Sequence, residues 1–354
     1  MATGTKGILI IGAKRTPFCH YGGPLRELPA SHVFAAAAKE AISSANIDPS
    51  LIDNTIVGNV NFDIITGTSK ITLAGGTDLM SSLPMLVRNV RFGTALGASY
   101  RLEDHIQKQI PDSYTGLTMQ KMVEDLAKKY GVTREDVDEF AVQSQLKWKA
   151  AEESKAFEQE LVSITVTVKK KQIVVEKDQP SQQPIKNEDL RQLPALIENG
   201  EILTSGNTSA PADGAAALLI AHEEAVRNHD LQPLARVVGW TCVGVDPKDA
   251  GIGGVHAVRK LLDEQKLRVA DVDLFEINEN FASQALIAAK ELKIDASKMN
   301  VSGGALALGD PISATGARMA THLVHELSRR NLKRGIAASS CGGGQGVAIL
   351  LEKI

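Results

Sequence analysis

Apolar positions along this chain fall into short continuous runs separated by stretches where they recur every three or four residues, the texture of strands interleaved with helices. Gly7-Ile-Leu-Ile-Ile11 opens as a buried-strand run and gives way to a polar turn over Lys14-Arg-Thr-Pro17. From Ser31 to Ala45, Val33, Phe34, Ala37, Ala38, Ala41 and Ile42 keep helical spacing, with Ser31 placed to cap the helix. Asn54 to Val60 and Ser69 to Ala74 read as short strands. This alternation predicts an α/β core.

Between Leu102 and Leu203 the texture changes. Thr133-Arg-Glu-Asp136 has the form of a capped helix start, and the helix is expected to reach about Phe157 with Val137, Phe140 and Ala141 on its inner side. Ile164 to Val168 and Ile173 to Val175 form an expected hairpin, with Lys169, Lys170 and Lys171 as a solvated charge run at its turn. Gln179 to Arg191 reads as an exposed connection. The expected organisation is an N-terminal half over 1–103 that continues at 203–228, an inserted loop domain over 104–202, and a C-terminal half over 229–354.

The two halves echo each other. Leu51 to Val57 followed by Gly58-Asn-Val-Asn-Phe62 matches the acid-preceded strand Ala270 to Ile277 followed by Asn278-Glu-Asn-Phe281. Ile71-Thr-Leu-Ala-Gly-Gly76 likewise matches Ile336-Ala-Ala-Ser-Ser-Cys-Gly-Gly343. A duplicated architecture explains both echoes. The intervals between the paired segments differ: 55 positions separate Phe281 from Ile336, and 9 separate Phe62 from Ile71. A strand, turn and helix of about 45 residues is therefore expected to be missing from the first half, at the Phe62–Asp63 junction.

Composition narrows the class of function. A net charge of −3 without a long basic run gives nucleic acid no electrostatic footprint, and no apolar stretch is long enough for a membrane span, which predicts a soluble protein. Cys19, Cys242 and Cys341 are too few and too scattered for a disulfide framework or a zinc site, which points to a reducing compartment. Cys242, within the apolar run Val237 to Val245, is expected in the core. His322 and His325 lie three apart on the expected helix Ala317 to Arg330 but lack a visible third ligand, so no metal is assigned. Adjacent side chains such as Cys19 and His20 seldom face each other, which argues against a Cys-His pair there. The start is basic, with Lys6, Lys14, Arg15 and Arg26 before the first acid at Glu27, a pattern compatible with an uncleaved import signal.

Chemistry concentrates in two glycine-rich turns, Gly303-Gly-Ala-Leu-Ala-Leu-Gly-Asp310-Pro-Ile-Ser-Ala-Thr-Gly316 and Cys341-Gly-Gly-Gly-Gln-Gly346. Glycines at this density let backbone approach a ligand and take up positive φ, so both turns look like the floor of a reaction centre. The second turn has neither the Gly-x-Gly-x-x-Gly spacing nor the lysine of a P-loop, which makes a phosphate cradle a weak reading. The titratable group between the turns is Asp310. Its plain structural role is to hydrogen-bond the backbone of its own turn.

With Ala13-Lys-Arg-Thr-Pro-Phe18, Leu73-Ala-Gly-Gly-Thr-Asp-Leu-Met-Ser81, Arg88-Asn-Val-Arg-Phe-Gly-Thr94, Ser205-Gly-Asn-Thr-Ser-Ala-Pro-Ala-Asp-Gly214 and Asn278-Glu-Asn-Phe-Ala282, the two turns make seven blocks in one order. Together they resemble the thiolase family over essentially the whole chain, most closely the mitochondrial 3-ketoacyl-CoA thiolases of fatty acid β-oxidation. The resemblance implies a five-layered αβαβα fold of two similar halves with an inserted loop domain, here truncated in the first half, assembled as homo-oligomers. It also implies ping-pong acyl transfer, in which a cysteine at a helix N-terminus attacks a 3-ketoacyl-CoA, acetyl-CoA leaves, and CoA takes the shortened acyl group. A histidine and a second cysteine support that nucleophile. Coenzyme A is a substrate in this chemistry, and no cofactor is implied.

Matched position by position, the family's nucleophile falls in the missing block, so no residue is assigned to it. The supporting histidine is replaced by Asp310. The second cysteine is replaced by Ser340, with Cys341 a substitute only if the turn shifts register by one. Asn278 and Glu279 keep the family's catalytic Asn-Glu pair, but Asn280 stands where alanine is usual. Gly251-Ile-Gly-Gly254 replaces a Gly-Ile-Gly-Pro turn, with His256 where a second proline is common. Gln179 replaces a CoA-contacting arginine, whereas Ser209 matches a serine on the pantetheine arm. Gly309, Gly342 and Gly343 keep the backbone turns. An ionised Asp310 would repel an oxyanion, and a serine hydroxyl is too weak an acid to exchange protons as a thiol does. The expectation is a thiolase-fold protein with impaired or absent thiolase activity, binding CoA or acyl-CoA weakly or joining an intact thiolase as a hetero-oligomer. The alternative is an active acetyl-CoA C-acyltransferase whose sequence is incomplete. Location by resemblance is mitochondrial, with cytoplasmic as the alternative.

Overall fold

The computed structural model describes residues 7–56, 69–104, 111–180 and 187–354. Its strands are β1 (Ile8–Arg15), β2 (Cys19–His20), β3 (Asn54–Ile56), β4 (Ile71–Leu79), β5 (Ile164–Val168), β6 (Lys171–Val175), β7 (Ala212–His222), β8 (Ala235–Gly244), β9 (Leu274–Ile277), β10 (Arg334–Cys341) and β11 (Gln345–Lys353). The helices are α1 (Ala30–Ser44), α2 (Met119–Lys129), α3 (Arg134–Glu153), α4 (Asn187–Arg191), α5 (Glu223–Asn228), α6 (Gly253–Gln265), α7 (Ala282–Leu292), α8 (Ala305–Leu308) and α9 (Thr315–Arg329).

Among the described residues, the strands other than the β5–β6 hairpin share one mixed sheet in the order β3-β4-β7-β1-β8-β11-β10-β9, with β2 against β7. The order contains the expected duplication. β3 is parallel to β4, which is antiparallel to β7, itself antiparallel to β1. β9 is parallel to β10, which is antiparallel to β11, itself antiparallel to β8. The half-sheets join through a short β1–β8 pairing at Leu9 and Ile10. α9 touches strands of both half-sheets, while α1 covers β7, β1 and β4 and α6 covers β8, β10 and β11. The layers are thus α1, half-sheet, α9, half-sheet, α6, in agreement with the five expected.

Three apolar clusters fill the gaps between these layers. Val33, Ala37, Ala41, Leu73 and Leu219 join α1 to its half-sheet. Ile8, Ile10, Met319, Leu323 and Leu327 surround α9. Val258, Leu261, Phe275, Ile287 and Leu350 lie under α6 and α7. The parallel crossover from β9 to β10 takes 56 residues and carries α7, α8 and α9, whereas the crossover from β3 to β4 takes 14. A dozen residues is close to the least that can return a chain to a parallel neighbour. The expected continuation of β3 to Val60, the Phe62 echo and the Phe62–Asp63 junction lie outside the described residues.

Several local expectations need correction. β1 continues through Lys14 and Arg15 instead of turning, because Ala13, Lys14 and Arg15 pair with Leu218, Ala217 and Ala216. α1 begins at Ala30 with Pro29 at its N-cap, so Ser31 lies inside the helix and caps nothing. The capping box at Thr133 and Asp136 is present, but α3 stops at Glu153 and Lys155 turns left-handed, short of Phe157. The strand expected from Ala270 is confined to Leu274–Ile277, since Val269–Asp271 is a single 3-10 turn. Within the expected exposed connection after Gln179, α4 buries Leu190, which with Leu193 offers its carbonyl to Arg134. Cys242 is exposed, because strand alternation in β8 turns Thr241 toward α6 and Cys242 the other way. The β5–β6 hairpin turns at Lys169 and Lys170, both at positive φ, and these lysines are solvated as expected.

Candidate active site

Four chain segments build the floor. The loop after β9 leaves the sheet with Asn278, whose N–H donates to the Ala338 carbonyl of β10 at 3.0 Å. The 205–214 segment runs beside it, the Ser209 N–H donating to the Asn280 carbonyl at 2.9 Å. Asp310 docks on the same segment, its N–H donating to the Ala210 carbonyl at 2.9 Å. That fit needs Gly309 at φ 84°, where an added Cβ would meet the Ala212 Cβ at 2.7 Å. The fourth segment is the β10–β11 turn, carried by Gly342 and by Gly343 and Gly344, both at φ 76°.

Asp310 is buried and bonded beyond its own turn. Its carboxyl takes the Thr315 hydroxyl on one oxygen and the Asn280 side-chain amide on the other. Burial pushes its pKa above the ordinary aspartate range, against the opposing pull of Thr315, Arg318 and the two asparagines. The partners are side chains, one of them from a loop 30 residues away, so a role confined to the backbone of its own turn is too narrow. Asn278 is also committed to this chain of contacts. Its amide donates to Asn280 Oδ1 at 2.5 Å, and its own Oδ1 is buried without a partner.

Glu279 points the opposite way, into the protein. It accepts from the Ser144 hydroxyl at 2.6 Å, from the Asn300 amide at 2.6 Å and from the Leu306 N–H at 3.3 Å, which ties α3 to α8. Burial raises its pKa above the usual glutamate range. These contacts make it a positioning residue for the floor.

Ser340 is held by backbone. Its hydroxyl donates to the Gly251 carbonyl at 3.0 Å and accepts from the Gly254 N–H at 2.9 Å, so the Gly251–Gly254 turn uses both its functions. No base adjoins it within that pair of bonds. Cys341 follows it in β10 and by alternation faces the other side of the sheet, where it is exposed. A one-residue shift would turn every side chain of β10 over, and the register with β11 holds from Arg334 to Cys341. Cys341 therefore does not substitute at the floor. Burial, followed by the neighbouring Cys242, raises its thiol pKa. Cys19 is buried beside β7, and burial together with Asp178 and Asp213 pushes its pKa up to about 12. Gln179 pairs through its main chain with Phe18 and His20, and His256 lies exposed on α6.

Gly251, Gly254, Asn278, Asn280, Ser339 and Ser340 line a pocket of about 10 Å³, the room of roughly one water.

Sequence reading missed a buried charge cluster behind the floor. The Arg15 guanidinium binds Glu160 at 2.6 Å and Asp178 at 2.7 and 2.9 Å, and His322 Nδ1 lies 2.9 Å from Glu160. Nothing in the sequence signals this cluster, because Arg15 stands in a polar stretch after the apolar run ends at Ile11. Its partners lie 145 and 163 residues away. His325 packs with its Nε2 2.9 Å from the Ala13 carbonyl.

Duplicated half-sheets around a shared helix, with glycine turns closing on an Asn-Glu loop, define a thiolase-fold protein of the acyltransferase class. The chain matches the thiolase N-terminal domain profile over residues 8–63 and 62–224 and the thiolase C-terminal domain profile over residues 231–353, and it belongs to this family. It is 38% identical to the mitochondrial 3-ketoacyl-CoA thiolase of Mus musculus over 390 residues, covering 98% of each chain. It is 34% identical to a probable acetyl-CoA acyltransferase of Staphylococcus aureus (strain COL), covering 98% of this chain and 99% of that protein. The crystal structure of human mitochondrial 3-ketoacyl-CoA thiolase superposes with a TM-score of 0.95 at 37% identity, covering 99% of this chain and 100% of the other. The same human enzyme in complex with CoA gives a TM-score of 0.94. The two stretches of the N-terminal match meet at Phe62–Asp63, and 390 aligned residues against a chain of 354 leave at least 36 positions of the mouse relative without a counterpart.

Proposed function

We propose that this chain is a thiolase-family protein that does not perform thiolytic cleavage. It binds CoA or acyl-CoA weakly and assembles as a homo-oligomer or with an intact thiolase subunit. The observation that carries this reading is the position of the thiols. The chain has three cysteines; Cys19 is buried, whereas Cys242 and Cys341 are exposed on the sheet face away from Ser340. Attack on a thioester needs a thiolate at the reacting carbonyl, and the proton traffic needs a group that titrates near neutral pH. Neither Asp310 nor Ser340 supplies a thiolate, and a serine hydroxyl does not exchange protons near neutral pH.

The split of the N-terminal match at Phe62–Asp63 supports the loss of a nucleophile-bearing segment. It favours equally a second reading, an active acetyl-CoA C-acyltransferase with an incomplete sequence. Restoring a segment there would leave Asp310 and Ser340 in place. Mitochondrial location is proposed from the mouse and human relatives, with the bacterial relative as the reason to test it by imaging a tagged chain.

The test is CoA-dependent cleavage of acetoacetyl-CoA and a longer 3-ketoacyl-CoA by the purified chain. Loss of substrate at the uncatalysed rate is expected. Robust turnover would overturn the proposal, and a transcript read across Phe62–Asp63 separates a true deletion from an incomplete sequence.

A further inference from the structure

An open cavity of about 540 Å³ lies between α3, α7 and the Ala296–Met299 turn, with Ser144 and Glu279 from beneath the floor among its lining residues. Its size suits a small ligand. Phe140, Leu286, Ala289 and Met299 give it apolar walls. Glu139, Gln143 and Lys147 follow at four-residue spacing on α3 and so share the face that lines it.

Lys147 carries the amine of this cavity. Its Nζ donates to the Met299 carbonyl at 2.9 Å and to the Ala296 carbonyl at 3.4 Å. Two carbonyl acceptors engage the two N–H bonds of a neutral amine and leave the lone pair unengaged by them. Burial lowers the pKa of this amine below the ordinary lysine value, against the opposing pull of Glu279 and Glu276. Lys147 is half-buried against these apolar side chains, and partial desolvation of this kind favours lysines as carbonyl nucleophiles.

We propose that Lys147 captures small apolar aldehydes in this cavity as a protonated imine. The amine nitrogen attacks the aldehyde carbon, the carbonyl oxygen leaves as water with two of the three ammonium hydrogens, and the remaining N–H⁺ stays bonded to the Met299 carbonyl. Charge is conserved in this exchange, so the buried carboxylates keep their cation. An uncharged ligand is specified because, among the described residues of the lining, the other cation, Arg191, is engaged by Glu135 at 2.8 Å.

The experiment treats the native full chain with hexanal and sodium cyanoborohydride at neutral pH and maps alkylated lysines by peptide mass spectrometry. Exposed Lys149, two residues along the same helix, is the internal control. Lys147 is expected to label several-fold faster than Lys149, the faster rate that a cavity-held amine with a lowered pKa gives. Lys147→Arg should lose that label and keep the melting temperature, since arginine retains the charge and its donors. Ala289→Phe, which fills the cavity, should slow labelling at Lys147 and leave Lys149 unchanged. Equal rates at Lys147 and Lys149, or undiminished Lys147 labelling in folded Ala289→Phe, would overturn the assignment.

Discussion

Asn280 donates its side-chain amide to the Asp310 carboxyl, joining the loop after β9 to the turn before α9. Asn278 feeds the same chain by donating to Asn280. These contacts draw Asn278 toward a second amide.

Burial makes Asp310 a proton-holding group in spite of its bond with Asn280, and stability should report it. Burial raises its pKa, so the folded protein keeps the proton where the unfolded chain has lost it, and stability falls as pH rises above the unfolded value. Asp310→Asn keeps one acceptor and one donor without the charge. The melting temperature of the variant relative to the parent should therefore rise between about pH 4 and pH 7. A difference that stays constant over that range would show that Asp310 is ionised in the fold.

Arg15 should behave in the opposite sense. Burial works against both charges, but Asp178 and Glu160 keep the arginine pKa raised, and Arg15 and His322 hold Glu160 far below the usual glutamate range. Arg15→Ala leaves two buried carboxylates uncompensated and should cost about 3–5 kcal/mol by urea denaturation. The depressed pKa of Glu160 gives stability that is present above its unfolded pKa and lost on acidification below it. Glu160→Gln should therefore weaken the acid dependence of unfolding; an unchanged acid limb would count against the cluster.

Gly76 of β4 meets the turn after Asp310 so closely that an added Cβ would lie 1.8 Å from the Ser313 carbonyl oxygen. Gly76→Ala should destabilise by about 3 kcal/mol, at the upper end for overpacking, because the obstacle is backbone. Gly316, in the first turn of α9 with open space beside it, is the control. Gly316→Ala should be neutral or stabilising by up to about 1 kcal/mol. Equal unfolding free energies for the two variants would mean that β4 does not approach the turn this closely.

Native thiol titration should find two reactive cysteines, Cys242 and Cys341, with Cys19 appearing only on denaturation. Cys19 is buried with its pKa pushed up to about 12, whereas the other two reach solvent. Three thiols reacting at one rate in the folded protein would contradict the packing of β2 against β7.

The elements with one period and one boundary signal were legible in the sequence. The capping box starts α3 at Arg134, and the alanine-rich spacing gives α1. The duplication was also legible, because the paired segments carry similar strand and glycine patterns, and the half-sheets repeat one strand order. The readings that failed concern direction and partners. Cys242 sits in an apolar run, but a period of two sends one residue in two outward, and sequence does not mark which face is covered at the strand's end. Arg15 read as a turn residue because its carboxylate partners, Glu160 and Asp178, lie 145 and 163 residues further along the chain.

By itself the sequence determined the family, the duplicated α/β plan and the letters at the floor, since these are local patterns of spacing and glycine content. Tertiary structure alone decided that Asp310 is tied to Asn280 and Thr315, that Ser340 gives its hydroxyl to the Gly251–Gly254 turn, and that Cys341 faces away. The physical reason is that desolvation and hydrogen-bond partners depend on which distant segments meet, and an aspartate or a serine acquires its chemistry from that neighbourhood.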